Sequence, residues 1–303
     1  MREYVSNLAP ILLFVFNRPE HTEKTIQSLK KNELAPNSRL FIYSDAAKNK
    51  HHEINVEKVR SYIKNIDGFK DITIIENDYN LGLATSVITG VTNIVNEFGK
   101  IIVLEDDLVT SPYFLNFMNA SLDYYRDENK VWHISGWNYP FYKNNCEDVF
   151  FWRLMNCWGW ATWSDRWEFF EKNSNKIIKD FSTADIRRFN IDDAENFWNQ
   201  VLENDKGKIN TWAIFWYAVI FKQNGLCLNP YKSFVLNIGN DGSGTHSAYT
   251  NDYNSELCMS KNINIHTNII ESGQAIDELK EFFKKNKKNL WKKIVGKFLS
   301  HIK

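Results

Sequence analysis

The sequence predicts an α/β chain on a mostly parallel, Rossmann-like nucleotide-binding sheet, and three observations carry that expectation. Apolar runs of strand length alternate with helical patterns over residues 11–104. The last of these runs, Ile101-Ile102-Val103-Leu104, stops abruptly at three acids, Glu105-Asp106-Asp107. Other strand ends in the same half also carry polar groups, and open α/β sheets place their ligands at that edge.

Taken in order, a strand over 11–16 is followed by a helical pattern over 21–31 and a strand over 40–44. A helix over 56–66, a strand over 72–75 and a helix over 84–98 then lead into the strand before the acids. Short β-branched runs argue strands, and apolar spacing near 3.6 argues helices. The order βαβαβαβ implies parallel strands, right-handed crossovers and helices on both faces. A nucleotide is the usual guest of such a sheet.

Three adjacent carboxylates repel one another, which drives one toward protonation unless a counter-charge arrives. Mn²⁺ or Mg²⁺ supplies that charge, taking one or two carboxylates and completing its shell with phosphates and water. The alternative is an exposed acidic turn ahead of a helix starting near Ser111-Pro112. A strand buried on both faces behind the triplet favours the metal. Asn17-Arg18-Pro19 follows the first strand, Ser44-Asp45 the second and Asp78-Tyr79-Asn80-Leu81-Gly82 the third. Arg18 suits a base or a phosphate, and Asp45 suits a base N–H or a ribose hydroxyl. Each group alone reads as turn chemistry, whereas on successive strand ends of one sheet they read as a single ligand edge. No GxGxxG follows the first strand and no GxxxxGK[ST] occurs, which argues against a dinucleotide enzyme and a P-loop NTPase. The combination fits transfer from a sugar nucleotide.

Lys plus Arg equals Asp plus Glu at 37 each, so no global field points to nucleic acid. Aromatics make up 15% of residues, with eleven Trp, and a surplus beyond the needs of the core suits stacking on sugar rings. Four cysteines without CxxC spacing read as reduced thiols of a cytoplasmic protein. The apolar run 8–16 is too short to span a membrane and lacks a cleavage site, so it reads as a strand.

Beyond the acids, a helix over 112–126 and a strand over 131–135 precede a ring-rich stretch that includes Phe141 and Tyr142. In Cys157-Trp158-Gly159-Trp160 the glycine would let a ligand approach the backbone between two rings. Trp160, Trp163, Trp167 and Phe170 recur at helical spacing, so a helix over 160–170 with these rings on one face is expected. Trp163 and Trp167 read as core and Trp158 as an acceptor contact.

The region from Asn17 to about Phe170 resembles the catalytic core of the GT-A glycosyltransferases, and most of all N-acetylglucosaminyltransferase I and its bacterial relatives in polysaccharide loci. Glu105-Asp106-Asp107 matches the family's acidic strand end. Ser135-Gly136-Trp137-Asn138 matches its Ser-Ala-Trp-Asn, and Cys157-Trp158-Gly159-Trp160 matches its acceptor loop. The resemblance implies that Asp107 ligates the metal, that Asp106 contacts the ribose side and that Glu105 supports them. It places Arg18 and Asp45 at the nucleotide, where their strand-end positions also put Asn17 and Asn80, and Trp137, Trp158, Gly159 and Trp160 at the acceptor. It also implies inversion of the anomeric centre, which needs a general base.

The family's base follows a Trp on a late helix, where this chain reads Thr211-Trp212-Ala213-Ile214-Phe215-Trp216 with no acid. A family histidine near the phosphates is likewise replaced at Ala84-Thr85-Ser86, where Thr85 at a helix N-terminus remains a phosphate contact. The loop after a strand over 234–238 carries Asp241 as first candidate base and His246 as a candidate metal ligand, or it is merely a turn. Asp165 and Glu168 are the alternative bases.

These readings divide the chain into a catalytic domain over 1–262, split into a donor half (1–107) and an acceptor half (108–262), and a basic amphipathic tail over 263–303. The tail reads equally as a helix on an anionic membrane surface at the inner face of the plasma membrane, or as one folded onto the domain or paired with another subunit. The expected function is a metal-dependent, inverting glycosyltransferase. It would move a sugar from a UDP-sugar, with UDP-GlcNAc implied by the resemblance, to a saccharide or lipid-linked saccharide in surface polysaccharide synthesis. The alternatives are a non-catalytic sugar-binding protein and a sugar-phosphate nucleotidylyltransferase.

Overall fold

Strands and helices alternate through the first half: β1 (Ile11–Val15), α1 (Pro19–Lys30), β2 (Arg39–Ser44), α2 (Lys50–Ile63), β3 (Asp71–Glu76), α3 (Leu83–Phe98) and β4 (Lys100–Glu105). The computed structural model describes residues 7–140, 148–242, 252–253 and 255–300, of which 288–300 are described as helix backbone alone. Local chemistry explains several boundaries. Pro19 stands in the first turn of α1, where its missing N–H costs nothing. The Asn49 side chain accepts from the His51 N–H and caps α2. Gly99, at φ 77°, ends α3 in the left-handed conformation that glycine adopts without strain.

The second half contains β5 (Leu108–Thr110), α4 (Phe114–Tyr124), β6 (Val131–Ser135), β7 (Val149–Trp152), β8 (Trp160–Trp163) and α5 (Ser164–Trp167). Helices α6 (Ser174–Asp180), α7 (Thr183–Phe189), α8 (Trp198–Asp205) and α9 (Ala213–Lys222) follow, then β9 (Leu226–Pro230), β10 (Val235–Asn237) and α10 (Gly273–Ser300). One eight-stranded sheet runs in the order β3-β2-β1-β4-β8-β6-β9-β7. Pairs β1–β2, β1–β4, β2–β3 and β6–β9 are parallel, while β8 and β7 run against their neighbours. The fold is therefore α/β with a mostly parallel central sheet, as expected.

Side chains on the central strands alternate between two cores. Leu12, Phe14, Ile101 and Val103 face α3 and the ring cluster, and Ile11, Leu13, Ile102 and Leu104 face α1, α2 and α4. Burial on both faces stabilises each such side chain by roughly 1.5–3 kcal/mol. That explains why β1 and β4 read as unbroken apolar runs.

The helix expected over 160–170 is instead strand β8 followed by the single turn α5. Strand alternation separates the rings. Trp160 and Trp167 lie in one core, while Trp163 points into the other, its indole N–H donating to the Leu122 carbonyl at 3.0 Å. The Trp surplus also serves mainly the core. Trp132, Trp152, Trp160, Trp163, Trp167, Trp198, Trp212 and Trp216 are buried.

Residues 265–283, assigned by sequence to the tail, lie against the sheet. The Tyr125 hydroxyl donates to the Ile265 carbonyl, Arg153 pairs with Glu271 at 2.8 Å, and Ala275, Ile276, Leu279 and Phe283 are buried. The amphipathic pattern from Leu290 onward lies outside the described side chains. Among the described residues no helix is long and apolar enough to cross a membrane.

His133, buried in β6, sets a pH limit on this core. Its Nε2 lies 2.9 Å from the Asn156 carbonyl, which only accepts, and its Nδ1 lies 3.3 Å from the Trp216 indole N–H, which only donates. The neutral Nε2–H tautomer satisfies both partners. Burial lowers the pKa from 6.5 to about 3, although the Asn156 carbonyl opposes the shift. The unfolded chain takes up this proton below about 6.5. The His133 contribution to stability is therefore complete above that pH and is lost as pH falls toward 3. The melting temperature is expected to fall between neutral pH and about 4, and less steeply in His133→Gln, whose amide both donates and accepts. An equally steep fall in the variant would refute this assignment.

Candidate active site

Strands β1 and β4 lie side by side and parallel, with Phe14 opposite Glu105, so the residues after both strands share one edge. Arg18 reaches across that edge. Its Nη1 is 2.9 Å from Asp107 Oδ2 and its Nη2 is 3.4 Å from Asp241 Oδ1. His21, one turn into α1, places Nε2 3.1 Å from Asp241 Oδ2. Asp106 turns toward β1, where its Oδ2 accepts from the Phe16 N–H at 3.3 Å.

The acids are not electrostatically balanced. Burial, then the charges of Asp107 and Asp106, raises Glu105 to about 8 against the pull of Arg18. Burial and Asp107 raise Asp106 to about 7. Burial also raises Asp107, with Arg18 and His21 opposing. One guanidinium does not neutralise three crowded carboxylates, and a divalent cation would. Hard carboxylate oxygens suit Mn²⁺ or Mg²⁺. Among the described residues no three metal-binding side chains converge on one point. A cation held by Asp107 would therefore take the rest of its shell from phosphate and water. His246, the other expected ligand, lies outside the described residues.

Sheet pairing brings Asp241 here from far along the chain. β10 pairs antiparallel with β5, Asn237 opposite Leu108, and the Ile238 N–H donates to the Asp107 carbonyl at 2.9 Å. Residues 238–242 consequently fold over the acids. A Cβ on Gly239 would stand 2.0 Å from Asp107 Oδ2, so any larger residue would push the Asp107 carboxylate out of this arrangement.

Asp45 has a different job from the one expected. Its carboxylate accepts from the backbone N–H groups of Ala46, Leu81 and Gly82 at 3.0, 2.9 and 2.9 Å. It also accepts from the Asn77 and Asn80 side chains at 3.2 and 2.9 Å. Five donors saturate both oxygens, so Asp45 pins the 77–82 loop to the end of β2 and offers no acceptor to a base or ribose. Asn80 donates its amide to Asp45 and to the Ala46 carbonyl, so its expected ligand contact is likewise turned inward. Tyr79 in that loop is 71% exposed, Thr85 is exposed in the first turn of α3, and Asn17 is half-buried beside Arg18.

β8 runs antiparallel to β4 with Trp160 opposite Val103, and continuing that register by two residues sets Trp158 beside Glu105. A cleft of about 490 Å³ opens there, lined by Trp137, Tyr139, Trp158, Tyr253, Asn156 and Gln200 among others. The Trp137 and Trp158 rings meet at 4.4 Å, and Trp158 stands edge-on to Tyr253 at 5.8 Å. The cleft adjoins the acids. Burial and then the charges of Glu105 and Asp107 push the Cys157 thiol at its wall upward.

Two acceptor assignments change. Trp160 is buried, stacked on His133 at 5.4 Å and on Trp212 at 5.2 Å, and belongs to the core. Gly159, at φ 64°, faces protein instead of ligand, since a Cβ there would meet Val235 at 2.7 Å. Trp137 and Trp158 stay at the cleft.

Asp165 and Glu168 cannot reach the acids. Trp163 pairs with Lys100 and the Ser164 N–H donates to the Gly99 carbonyl at 2.9 Å, which puts both at the opposite end of β4, roughly 17 Å away. Asp165→Asn and Glu168→Gln are expected to leave donor turnover within about twofold of wild type. A large loss in either would contradict this placement.

Sequence reading passed over His21, Gln200, Tyr139 and Tyr253 as site residues. His21 had a signal, since it stands three positions after Arg18 in the first turn of the helix leaving β1. Tyr253 had none, because only tertiary packing carries residue 253 to the cleft.

No family model matches the chain and no curated protein matches it. Among solved structures it is similar to TarS from S. aureus, at TM-score 0.33 and 11% identity over 47% of this chain and 24% of that one. TarS residues 1–349 give 0.44 and 8%, over 75% of this chain and 59% of that one. The mannosyltransferase PcManGT from Pyrobaculum calidifontis, in complex with GDP-Man and Mn²⁺, gives 0.38 and 9%, over 73% and 74%. Likeness this distant assigns neither family nor activity, which leaves the geometry of the site to carry the function.

Proposed function

We propose that this chain is a GT-A-type glycosyltransferase that moves a sugar from a nucleotide donor to a saccharide acceptor with the help of a divalent cation. One observation carries the reading. An acidic strand end short of positive charge, Glu105 to Asp107, stands directly beside a ring-lined cleft. A bound cation would contribute charge neutralisation at the departing nucleotide diphosphate.

The chain's own residues do the rest in this proposal. Asp107 holds the cation, and Arg18 is shared between Asp107 and the phosphates. The backbone around Gly239 covers the diphosphate and keeps water out. Trp158 and Trp137 orient the acceptor. Asp241 takes the proton of the acceptor hydroxyl, the only assigned base left once Asp165 and Glu168 are removed, and His21 holds its carboxylate in position. Inversion, a UDP donor and a lipid-linked acceptor belong to the same proposal and follow from the family resemblance of the motifs.

Nucleotide release from a panel of UDP- and GDP-sugars, with Mn²⁺ and with a chelator, tests the reading. Mn²⁺-stimulated release from at least one donor is expected. Saccharide binding with no release from any donor would favour a non-catalytic sugar-binding protein.

A further inference from the structure

The cleft beside the acids is mainly apolar, with a few uncharged polar groups. Among the described residues, no lysine, arginine, aspartate or glutamate lines it. Gln200, Tyr139, Tyr253 and the Trp137 indole bring hydrogen-bonding groups to it, whereas Tyr217 donates to the Phe189 carbonyl and the Asn156 amide to Asn229. Acids stand on two flanks of it, each facing a cation, Arg18 at 2.9 Å from Asp107 and Lys287 at 3.7 Å from Glu195. Glu105 and Asp107 act on Cys157 from one side, and Glu195 acts on Tyr139 and Tyr253 from the other. Arg153, behind Tyr217, is spent on Glu271 at 2.8 Å and Asp192 at 3.2 Å. Lys287 also donates to the Ala194 carbonyl.

We propose that the acceptor end seated in this cleft is a saccharide without anionic groups, a neutral hexose or N-acetylhexosamine as opposed to a uronic acid or a phosphate-bearing unit. The proposal rests on the function given above and names the class of its acceptor. A carboxylate or phosphate moved from water into a cleft with no cationic partner among the described residues loses hydration that they do not replace. A neutral pyranose loses far less. Its C–H face suits the half-buried Trp158 ring, and its hydroxyls suit the Gln200 amide and the Tyr253 phenol, which both donate and accept.

Methyl glucoside and methyl glucuronide differ only at C6, and galactoside and galacturonide form a second such pair. Titration of the full chain with each, followed by tryptophan fluorescence or saturation-transfer NMR, tests the proposal. At least one neutral sugar is expected to bind on the order of tenfold more tightly than its uronate. Trp158→Ala should weaken the neutral sugar. Gln200→Arg, which sets a cation at the exposed rim, should narrow or reverse the preference. Uronates binding as tightly as their neutral partners, a preference untouched by Gln200→Arg, or no sugar binding at all would each overturn it. Donor turnover in the same preparations separates the two levels. Mn²⁺-stimulated nucleotide release alongside tighter uronate binding sinks only the acceptor class. Neutral sugars bound with no nucleotide release from any donor sink the transferase reading.

Discussion

Asp107→Ala is expected to cut nucleotide release from the sugar donor by on the order of 10³-fold, the scale seen when charge stabilisation of a leaving group is removed. Its melting temperature is expected to stay level or rise. Asp107 crowds Glu105 and Asp106, and its charge helps push both carboxyls upward. A carboxyl raised in the folded state contributes stability at low pH that is lost as pH rises through its folded value, here about 8 and about 7. At neutral pH the cluster is therefore a source of strain, and removing one member relieves it. The lost pairing is limited, because Arg18 keeps Asp241 at 3.4 Å. Mn²⁺ should raise the melting point of wild type and not of the variant, since only a ligand bound by the folded state stabilises it. Wild-type turnover in Asp107→Ala would end the case for this site.

The largest stability effect is expected at Asp45. The residue is 8% exposed and its carboxylate satisfies five donors drawn from the end of β2 and the 77–82 loop. Each buried donor left without a partner costs about 1–3 kcal/mol. Water reaches the half-buried Leu81 and Gly82, so the sum is reduced to roughly 3 kcal/mol for Asp45→Ala. Asp45→Asn keeps the volume but replaces one acceptor oxygen with a donor, and should fall between wild type and Ala. Denaturant unfolding measures both, and a midpoint unmoved in Asp45→Ala would show that the loop stands without this anchor. Nucleotide affinity should fall in parallel, because the loop leads directly into α3 at Gly82.

How far sequence carried depended on the kind of interaction. The βαβ half was legible because each strand there is buried on both faces and each crossover helix has its own periodicity. The misreading at Trp160–Trp163 shows where periodicity stops working. Trp160 and Trp163 fit a helix by spacing, yet the two rings serve opposite faces of one sheet through strand β8. Apolar residues on both sides of a strand leave no period to read. Asp45 failed differently, since an acid at a strand end looks alike whether it meets a ligand or five donors of its own loop. Gly159 also fits either reading until its neighbours Val235, Phe114 and Leu104 are seen.

By itself, the chain order determined the α/β class, the strand that ends in acids and the presence of Arg18 at the neighbouring strand end. These depend on patterns within one element or between consecutive ones. Tertiary structure alone decided that Asp241 meets Arg18 and His21, that Asp165 and Glu168 sit at the wrong end of the sheet, and that Tyr253 and Gln200 join Trp137 and Trp158 around one cleft. The first two follow from the register and direction of β10 and β8, set by pairing between strands far apart in the chain, and the third from packing of a helix and a loop against the sheet. Local composition carries no record of such pairing.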